Sequence, residues 1–292
     1  MNSNCETTKR PDDETTTRLN DAPRYNARMV FLKLGGSLIT DKHRPYTPLP
    51  GRLAALAGAL AAARRARPDL RVLVGHGSGS FGHWAAKQGG DIRHGVRQPE
   101  DWQHFVRVWH AAQRLNRLVV DALLEAGVPA VAFPPSAVAL AEDGILHRWD
   151  TAPLEAALAA GLVPVTYGDV VFDARRGGVI VSTEEIFAFL APRLRPQRIL
   201  IAGVEPGVWA DFPQCTRIVP EITPANAPAL AAALGGSAAA DVTGGMASKV
   251  ETMLALAAAS PDVEVLIFDG RRGEDVQAAL LGEPRGTRVV AQ

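Results

Sequence analysis

Two periodicities alternate along this chain. Short apolar runs bounded by glycine or polar turns read as buried strands at 29–34, 72–74, 128–133, 163–166, 170–172, 198–202, 265–268 and 287–290. Between them lie stretches with helical spacing. Residues 51–67 are rich in Ala, Leu and Arg, and residues 102–126 place Phe105, Val106, Trp109, Leu115 and Leu118 at roughly helical intervals. A further helix is predicted over about 247–259. Ser182-Thr183-Glu184-Glu185 precedes Ile186–Leu190 as an N-cap with acids in the first turn. Capping alone and an anion- or metal-linked role for those acids both fit. The alternation, with no internal repeat or long linker, predicts an α/β fold: a three-layer αβα sandwich around an open, mainly parallel sheet.

The run Arg71–Gln88 is the centre of this pattern. A β-branched strand is followed by Gly75, Gly77, Gly79 and Gly82, and a helix is expected from near Trp84. Strand, glycine loop and helix start aim backbone amides at a phosphate. His83 would project from the first helical turn; a tight turn with a capping histidine is the plainer alternative. The loop also fits a Gly-x-Gly-x-x-Gly dinucleotide fingerprint. That pattern needs a second strand and an acid about twenty residues on. Residues 98–104 look instead like a helix start.

Lys33 interrupts an apolar strand just before Gly35-Gly36-Ser37. A buried lysine is costly unless its charge meets an anion, so it either reaches a phosphate or snorkels at an edge. Thr40-Asp41-Lys42 follows as a polar turn. Asp241-Val242-Thr243-Gly244-Gly245-Met246, with Lys249 beyond it, is either a second anion cradle or a plain capped helix. Active sites of such sheets lie at the carboxyl ends of strands, where Lys33 and both glycine loops fall.

Composition narrows the reading. Lys+Arg and Asp+Glu both number 31, so net charge gives no sign of nucleic-acid binding. Two cysteines, Cys5 and Cys215, without a Cys/His cluster argue against a disulfide framework or structural zinc. No metal-ligating residues stand out. No apolar run approaches a membrane span. Residues 1–27 are polar and lack an apolar core, so a disordered tail is expected rather than a secretory signal. A cytoplasmic protein is the expectation. The absence of Gly-x4-Gly-Lys-Ser/Thr and of His-Arg-Asp or Asp-Phe-Gly sets excludes P-loop NTPases and protein kinases. Two glycine cradles, at least two lysines and a histidine facing one cleft suit phosphoryl transfer.

Lys33-Leu34-Gly35-Gly36-Ser37, Thr40-Asp41-Lys42, Gly79-Ser80-Phe81-Gly82-His83 and Asp241–Met246 with Lys249 together resemble the amino acid kinase superfamily. Within it they are similar to the isopentenyl phosphate kinases. Tyr167-Gly168-Asp169-Val170-Val171 and Leu281-Gly282-Glu283-x-x-Gly286-Thr287 fit as well. The resemblance spans residues 29 to about 290. It implies one domain over 28–292, with an acceptor-binding lobe at about 28–180 and a nucleotide-binding lobe at about 181–292. It also implies ATP and Mg²⁺, an isoprenoid monophosphate acceptor and a homodimer. Lys33, Gly35, Gly36, Ser37, Gly79, Gly245 and Lys249 would bind the nucleotide. Ser78, Gly82, His83 and Thr183 would meet the acceptor, and Lys42 would order the lysine–phosphate network. An apolar wall for the isoprenoid tail is expected on the helix of Trp102, Phe105 and Trp109.

Two departures stand out. Relatives commonly carry Ser-Gly-Asp-Asp where this chain has Ser182-Thr183-Glu184-Glu185, and Thr-Asp-Val-Asp-Gly where it has Gly203-Val204-Glu205-Pro206-Gly207. The second bears on nucleotide selection, because Val204 offers no side-chain hydrogen bond. A fosfomycin-type phosphonate kinase and a non-catalytic nucleotide sensor are the alternatives on the same fold.

Overall fold

The central apolar runs become strands because they are dry on both faces. In the computed structural model, which describes residues 28–88, 92–211, 213–234 and 245–291 (side chains of 93, 231–234 and 245–249 excepted), all six residues of Met29–Leu34 (β1) are buried. Chain order then runs through Gly36–Ile39 (α1), Pro50–Ala66 (α2), Arg71–His76 (β2), Gly79–Lys87 (α3), Pro99–Glu125 (α4), Ala130–Ala132 (β3) and Pro135–Val138 (α5). Next come Ala139–Glu142 (β4), Ile145–Trp149 (β5), Ala152–Ala159 (α6), Val163–Tyr167 (β6), Asp169–Asp173 (β7), Gly177–Val181 (β8) and Thr183–Leu194 (α7). The remainder is Arg198–Gly203 (β9), Val208–Trp209 (β10), Ile218–Val219 (β11), Glu221–Ile222 (β12), Ala227–Leu234 (α8), Gly245–Ala259 (α9), Glu264–Asp269 (β13), Gly273–Leu281 (α10) and Thr287–Val289 (β14).

One sheet orders its strands β12-β14-β13-β9-β1-β2-β6-β3. All its pairings are parallel except β13 with β14. Alternation along β1 splits the core. Val30, Leu32 and Leu34 pack with α2, α4 and α10, while Met29 and Phe31 pack with α7 and α9. Burial of each such side chain is worth roughly 1.5–3 kcal/mol. The three-layer αβα arrangement is as the sequence predicts. From β1 the chain fills one half of the sheet through β2, β6 and β3. It then returns to β9 on the other side of β1, making the carboxyl ends of β1 and β9 a topological switch point.

Two features depart from the sequence reading. A second, four-stranded sheet, β5-β4-β7-β8, stands beside the first. Its Phe172 packs on Trp102 and Phe105 of α4, with ring centroids 5.9 and 5.3 Å apart. Helix α3 begins at Gly79 rather than near Trp84, so the glycine loop and the helix start are one element. The 1–27 tail with Cys5, and the Asp241–Gly244 segment, lie outside the described residues.

A buried polar cluster sits where the two sheets meet. His76 stacks on Tyr167 with centroids 5.2 Å apart. Its Nδ1 lies 3.1 Å from the Gly77 carbonyl and its Nε2 lies 3.2 Å from the Asn116 side chain. Burial, helped by the Lys33 charge, pushes the imidazole down to about 4, so it is neutral at pH 7. The oxygens of Gly77 and Asn116 that face the ring only accept, so the one proton of the neutral imidazole serves one of these two contacts at a time. Asp169 accepts from the Val170 N–H at 2.9 Å and the Ser136 N–H at 3.4 Å. Burial pushes its carboxyl up to about 7.

That last shift predicts a pH dependence. Relative to an unfolded value of 3.8, a folded value near 7 means the group's contribution is fully present below pH 3.8 and is lost as pH rises through 7. The slope is at most about 1.4 kcal/mol per pH unit. Asp169→Asn removes this dependence, whereas the His76 titration is common to both proteins and cancels. Urea unfolding at pH 5 and pH 8 should therefore show wild type losing stability relative to the Asn variant as pH rises.

Candidate active site

The two glycine turns after β1 and β2 pack backbone against backbone. The Gly77 N–H donates to the Leu34 carbonyl at 2.9 Å, and the Gly35 N–H donates to Ala202 of β9 at 2.8 Å. A Cβ on Gly77 would lie 2.8 Å from the Gly36 nitrogen, and one on Gly36 would lie 2.6 Å from the Gly79 Cα. No side chain fits at either position. Gly79 has φ +50°, a left-handed conformation that favours glycine. Thr40 bridges the two turns: its hydroxyl donates to the Gly36 carbonyl at 2.7 Å and accepts from the Ser80 N–H at 2.8 Å. Gly36 and Ser37 open α1 and Gly79 opens α3. Their N–H groups thus belong to first helical turns, which lack acceptors within the helix and carry positive partial charge.

Lys33 lies beside this seam, on the sheet face covered by α7. Its ammonium pairs with Glu184, and both side chains are almost wholly buried, 7% and 6% exposed. The helix start divides its acids. Ser182 Oγ accepts from the Glu185 N–H at 3.1 Å while Glu185 accepts from the Ser182 N–H at 2.6 Å, a reciprocal cap. Glu185 therefore caps, and Glu184 turns inward to the Lys33 ammonium. The partner keeps Lys33 charged in a dry site, where an unpaired ammonium would shed its proton.

The remaining predicted residues gather around these loops to different degrees. Ser78 immediately precedes α3, and a Cβ on Gly82 would run into the Ser78 side chain, so Gly82 makes room for that hydroxyl. His83 follows within the same helix and is partly exposed. Lys42 is exposed on the turn closed by Asp41, which accepts from the His43 N–H and Arg44 Nε at 2.9 Å each. Thr183 is 1% exposed and its hydroxyl donates to the His76 carbonyl at 2.7 Å, so that hydroxyl is engaged within the protein. Gly245 opens α9 and Lys249 follows within it, but the Lys249 side chain lies outside the described residues.

Sequence reasoning missed Thr40, His76 and the specific Lys33 partner. For the partner a signal existed: a lysine on a central strand requires an acid, and Ser182-Thr183-Glu184-Glu185 offers two at a capped helix start. The Gly203–Gly207 run uses its acid locally, with Glu205 accepting from the Trp209 indole at 2.9 Å. Thr287 closes this region, accepting from the Val208 N–H at 2.8 Å and donating to the Val219 carbonyl at 2.6 Å. Among the described residues no group of three or more His, Cys, Asp or Glu is placed to hold a metal ion.

The profile of the amino acid kinase family matches residues 28–269. The chain is 44% identical over 267 residues to the isopentenyl phosphate kinase of Haloferax volcanii, covering 89% of this chain and 98% of that one. It is 30% identical over 266 residues to the Methanocaldococcus jannaschii isopentenyl phosphate kinase, covering 89% and 98%. A solved isopentenyl phosphate kinase structure superposes with a TM-score of 0.74 at 30% identity, covering 89% of this chain and all of that one. The chain belongs to the amino acid kinase family and groups with its isopentenyl phosphate kinases.

Removing one partner of a buried ion pair is severe, about 3–5 kcal/mol, because the other charge is stranded. Glu184→Ala should therefore lower the urea-derived unfolding free energy by an amount in that range. Lys33→Met combined with Glu184→Leu should recover most of it while abolishing any activity that needs the ammonium.

Proposed function

We propose that this chain transfers the γ-phosphoryl group of ATP directly to isopentenyl phosphate, and to dimethylallyl phosphate, giving the diphosphate. The observation that carries this reading is the buried, acid-held Lys33 at the seam of two fused glycine turns. It supplies a fixed cation beside inward-pointing amides, in a chain whose relatives are isopentenyl phosphate kinases.

A phosphate monoester with a second pKa near 6 is already largely dianionic at pH 7, so no general base is required. The barrier is the repulsion between two polyanions. Lys33 and Lys249 would offset charge on the moving phosphoryl group, with first-turn amides of Gly36, Ser37 and Gly79 binding nucleotide oxygens. Lys42 would order this network from the exposed turn. His83, with Ser78 and the backbone at Gly82, would hold the acceptor phosphate in line. The backbone contact between the two glycine turns, which a Cβ on Gly36 or Gly77 would break, holds the first-turn amides that would meet the nucleotide phosphates. Magnesium, carried on the nucleotide, neutralises phosphate charge when bound. With no acidic cage among the described residues, phosphate oxygens and water would supply most of its ligands.

In this reading residues 28–180 hold the acceptor and 181–292 the nucleotide. Trp102 and Trp109, partly exposed on α4, would wall the tail, with Phe105 buried behind them. Val204 would relax selection at the base or ribose. The enzyme would act in the cytoplasm as a homodimer. Edge strand β3, with exposed Val131, and Leu118 and Leu124 of α4 give two copies apolar surface to share. No described helix is long and apolar enough to cross a membrane.

The test is turnover of purified protein with ATP and Mg²⁺ on a panel of isoprenoid monophosphates and phosphonates. Isopentenyl phosphate should be preferred; preference for a phosphonate would overturn the acceptor assignment. Lys33→Ala and Lys249→Ala should each cut kcat by about tenfold or more, the effect of losing roughly 1.4 kcal/mol. His83→Ala should raise the acceptor KM and leave the ATP KM nearly unchanged. Wild-type kinetics in all three variants would mean the site is elsewhere.

A further inference from the structure

A glycine in mid-strand weakens it, by about 0.5–1 kcal/mol, and is normally explained by an unusual backbone angle or a close approach. Gly75 follows Val72-Leu73-Val74 in the buried central strand β2, and its φ is not positive. The close approach is that of α7. A Cβ on Gly75 would lie 2.5 Å from Thr183 Cγ2 and 2.7 and 2.8 Å from the ring edge of Phe187. Gly75 is also the register neighbour of Lys33 across the β1–β2 pairing. The first turn of α7 therefore rests in the gap that Gly75 leaves, directly beside the lysine that Glu184 of the same turn must reach.

Thr183 is the matching half. Its methyl fills the gap, and its hydroxyl donates at 2.7 Å to the carbonyl of His76, the next residue on the same strand. That carbonyl also accepts from the Gly168 N–H at 3.1 Å, which ties β2, β6 and α7 at one point. Two contacts in different directions fix both the height and the rotation of the helix start. The next residue, Glu184, then falls on Lys33.

We infer that Gly75 and Thr183 are a matched pair of positioning residues that seat the start of α7 and thereby set the Lys33–Glu184 geometry for phosphoryl transfer. The inference rests on the kinase reading, but its consequence for nucleotide binding does not depend on the acceptor. Neither residue touches the reacting atoms. A lifted helix would move Glu184 and let the ammonium drift, and a misplacement of about 1 Å costs on the order of 100-fold in rate.

The experiment is a double-variant cycle on the full-length chain: Gly75→Ala, Thr183→Ser, and both together. Serine keeps the hydroxyl that donates to His76 and removes only the clashing methyl. Gly75→Ala should lower kcat by about tenfold or more with little change in acceptor KM, and should weaken ATP binding in calorimetry. Thr183→Ser alone opens space and should lose at most a few-fold. The double variant should regain at least about fivefold over Gly75→Ala in both readouts, the ring edge of Phe187 rotating aside. An active Gly75→Ala enzyme, or a double variant no better than that single one, overturns the pairing. Should Gly75→Ala fail to fold, Thr183→Val tests the anchor from the other side. It conserves volume and removes the hydroxyl, so kcat should fall several-fold in a folded protein, and wild-type kcat would overturn the pairing. Wild-type protein that binds ATP but phosphorylates no isoprenoid monophosphate refutes the acceptor reading instead, and the ATP-binding arm still decides the pairing.

Discussion

An ammonium group on a central, dry strand has to be answered by an anion, and much of this architecture is arranged around that requirement. Lys33 could not sit charged in β1 without Glu184, because desolvating an isolated ammonium costs several kcal/mol. Glu184 can reach it only if the start of α7 lies close on the sheet. That closeness requires a strand neighbour without a side chain, and the register partner of Lys33 is Gly75. The reciprocal cap of Ser182 and Glu185 then starts the helix at the right residue, so that one acid closes the turn and the other faces inward.

The opposite constraint shapes the loop side. Where Lys33 needs a partner, the glycine turns need to be without side chains. Gly36, Gly77 and Gly79 bring two chain segments into backbone contact, and Thr40 bonds across the seam with both its donor and its acceptor capacity. Such a junction is stiff, since each segment blocks the other and no rotamer is available to relax. Amides that open α1 and α3 are thereby held in fixed orientation before any ligand arrives. This preorganisation is what electrostatic stabilisation of a transferring phosphoryl group asks of a protein.

The legible parts of the sequence were those where one residue type has one physical explanation. Strands with apolar residues on both faces read correctly because nothing but burial in a parallel sheet accounts for them, and Lys33 stood out against that background. The start of α3 was misplaced by five residues because glycines were read as loop, whereas Gly79 and Gly82 here are helical and small for steric reasons. The second sheet escaped notice for a related reason. Ala139–Glu142 and Ile145–Trp149 are short, half-exposed strands whose alternation is weak, and Phe172 remains 49% exposed in the strand β7. For Thr183 the resemblance implies only an acceptor contact and says nothing of its packing. Its true neighbours, Gly75 and His76, are more than a hundred residues away in sequence, and no local pattern could place them.

Charge balance explains what the lysine contributes. With 31 basic and 31 acidic residues the chain has no net field to draw polyanions from solution, and Lys33 is neutralised by Glu184 at contact distance. A paired charge decays quickly with distance, since the two fields cancel beyond a few ångströms. Lys33 is therefore poorly suited to steering a nucleotide and well suited to acting once phosphate oxygens touch it. There its proton donors are already oriented and its water already removed. His76 beneath the loop, its ring against Asn116 of α4, is neutral chiefly because burial pushes the imidazole down to about 4, with the nearby Lys33 charge adding to the effect. Among the described residues of the site, Lys33 is an internal cation paired with Glu184, and Lys42 is an exposed one on the neighbouring turn. Long-range capture and short-range stabilisation are thus separated in space, and only the second depends on the depth of α7 over the sheet.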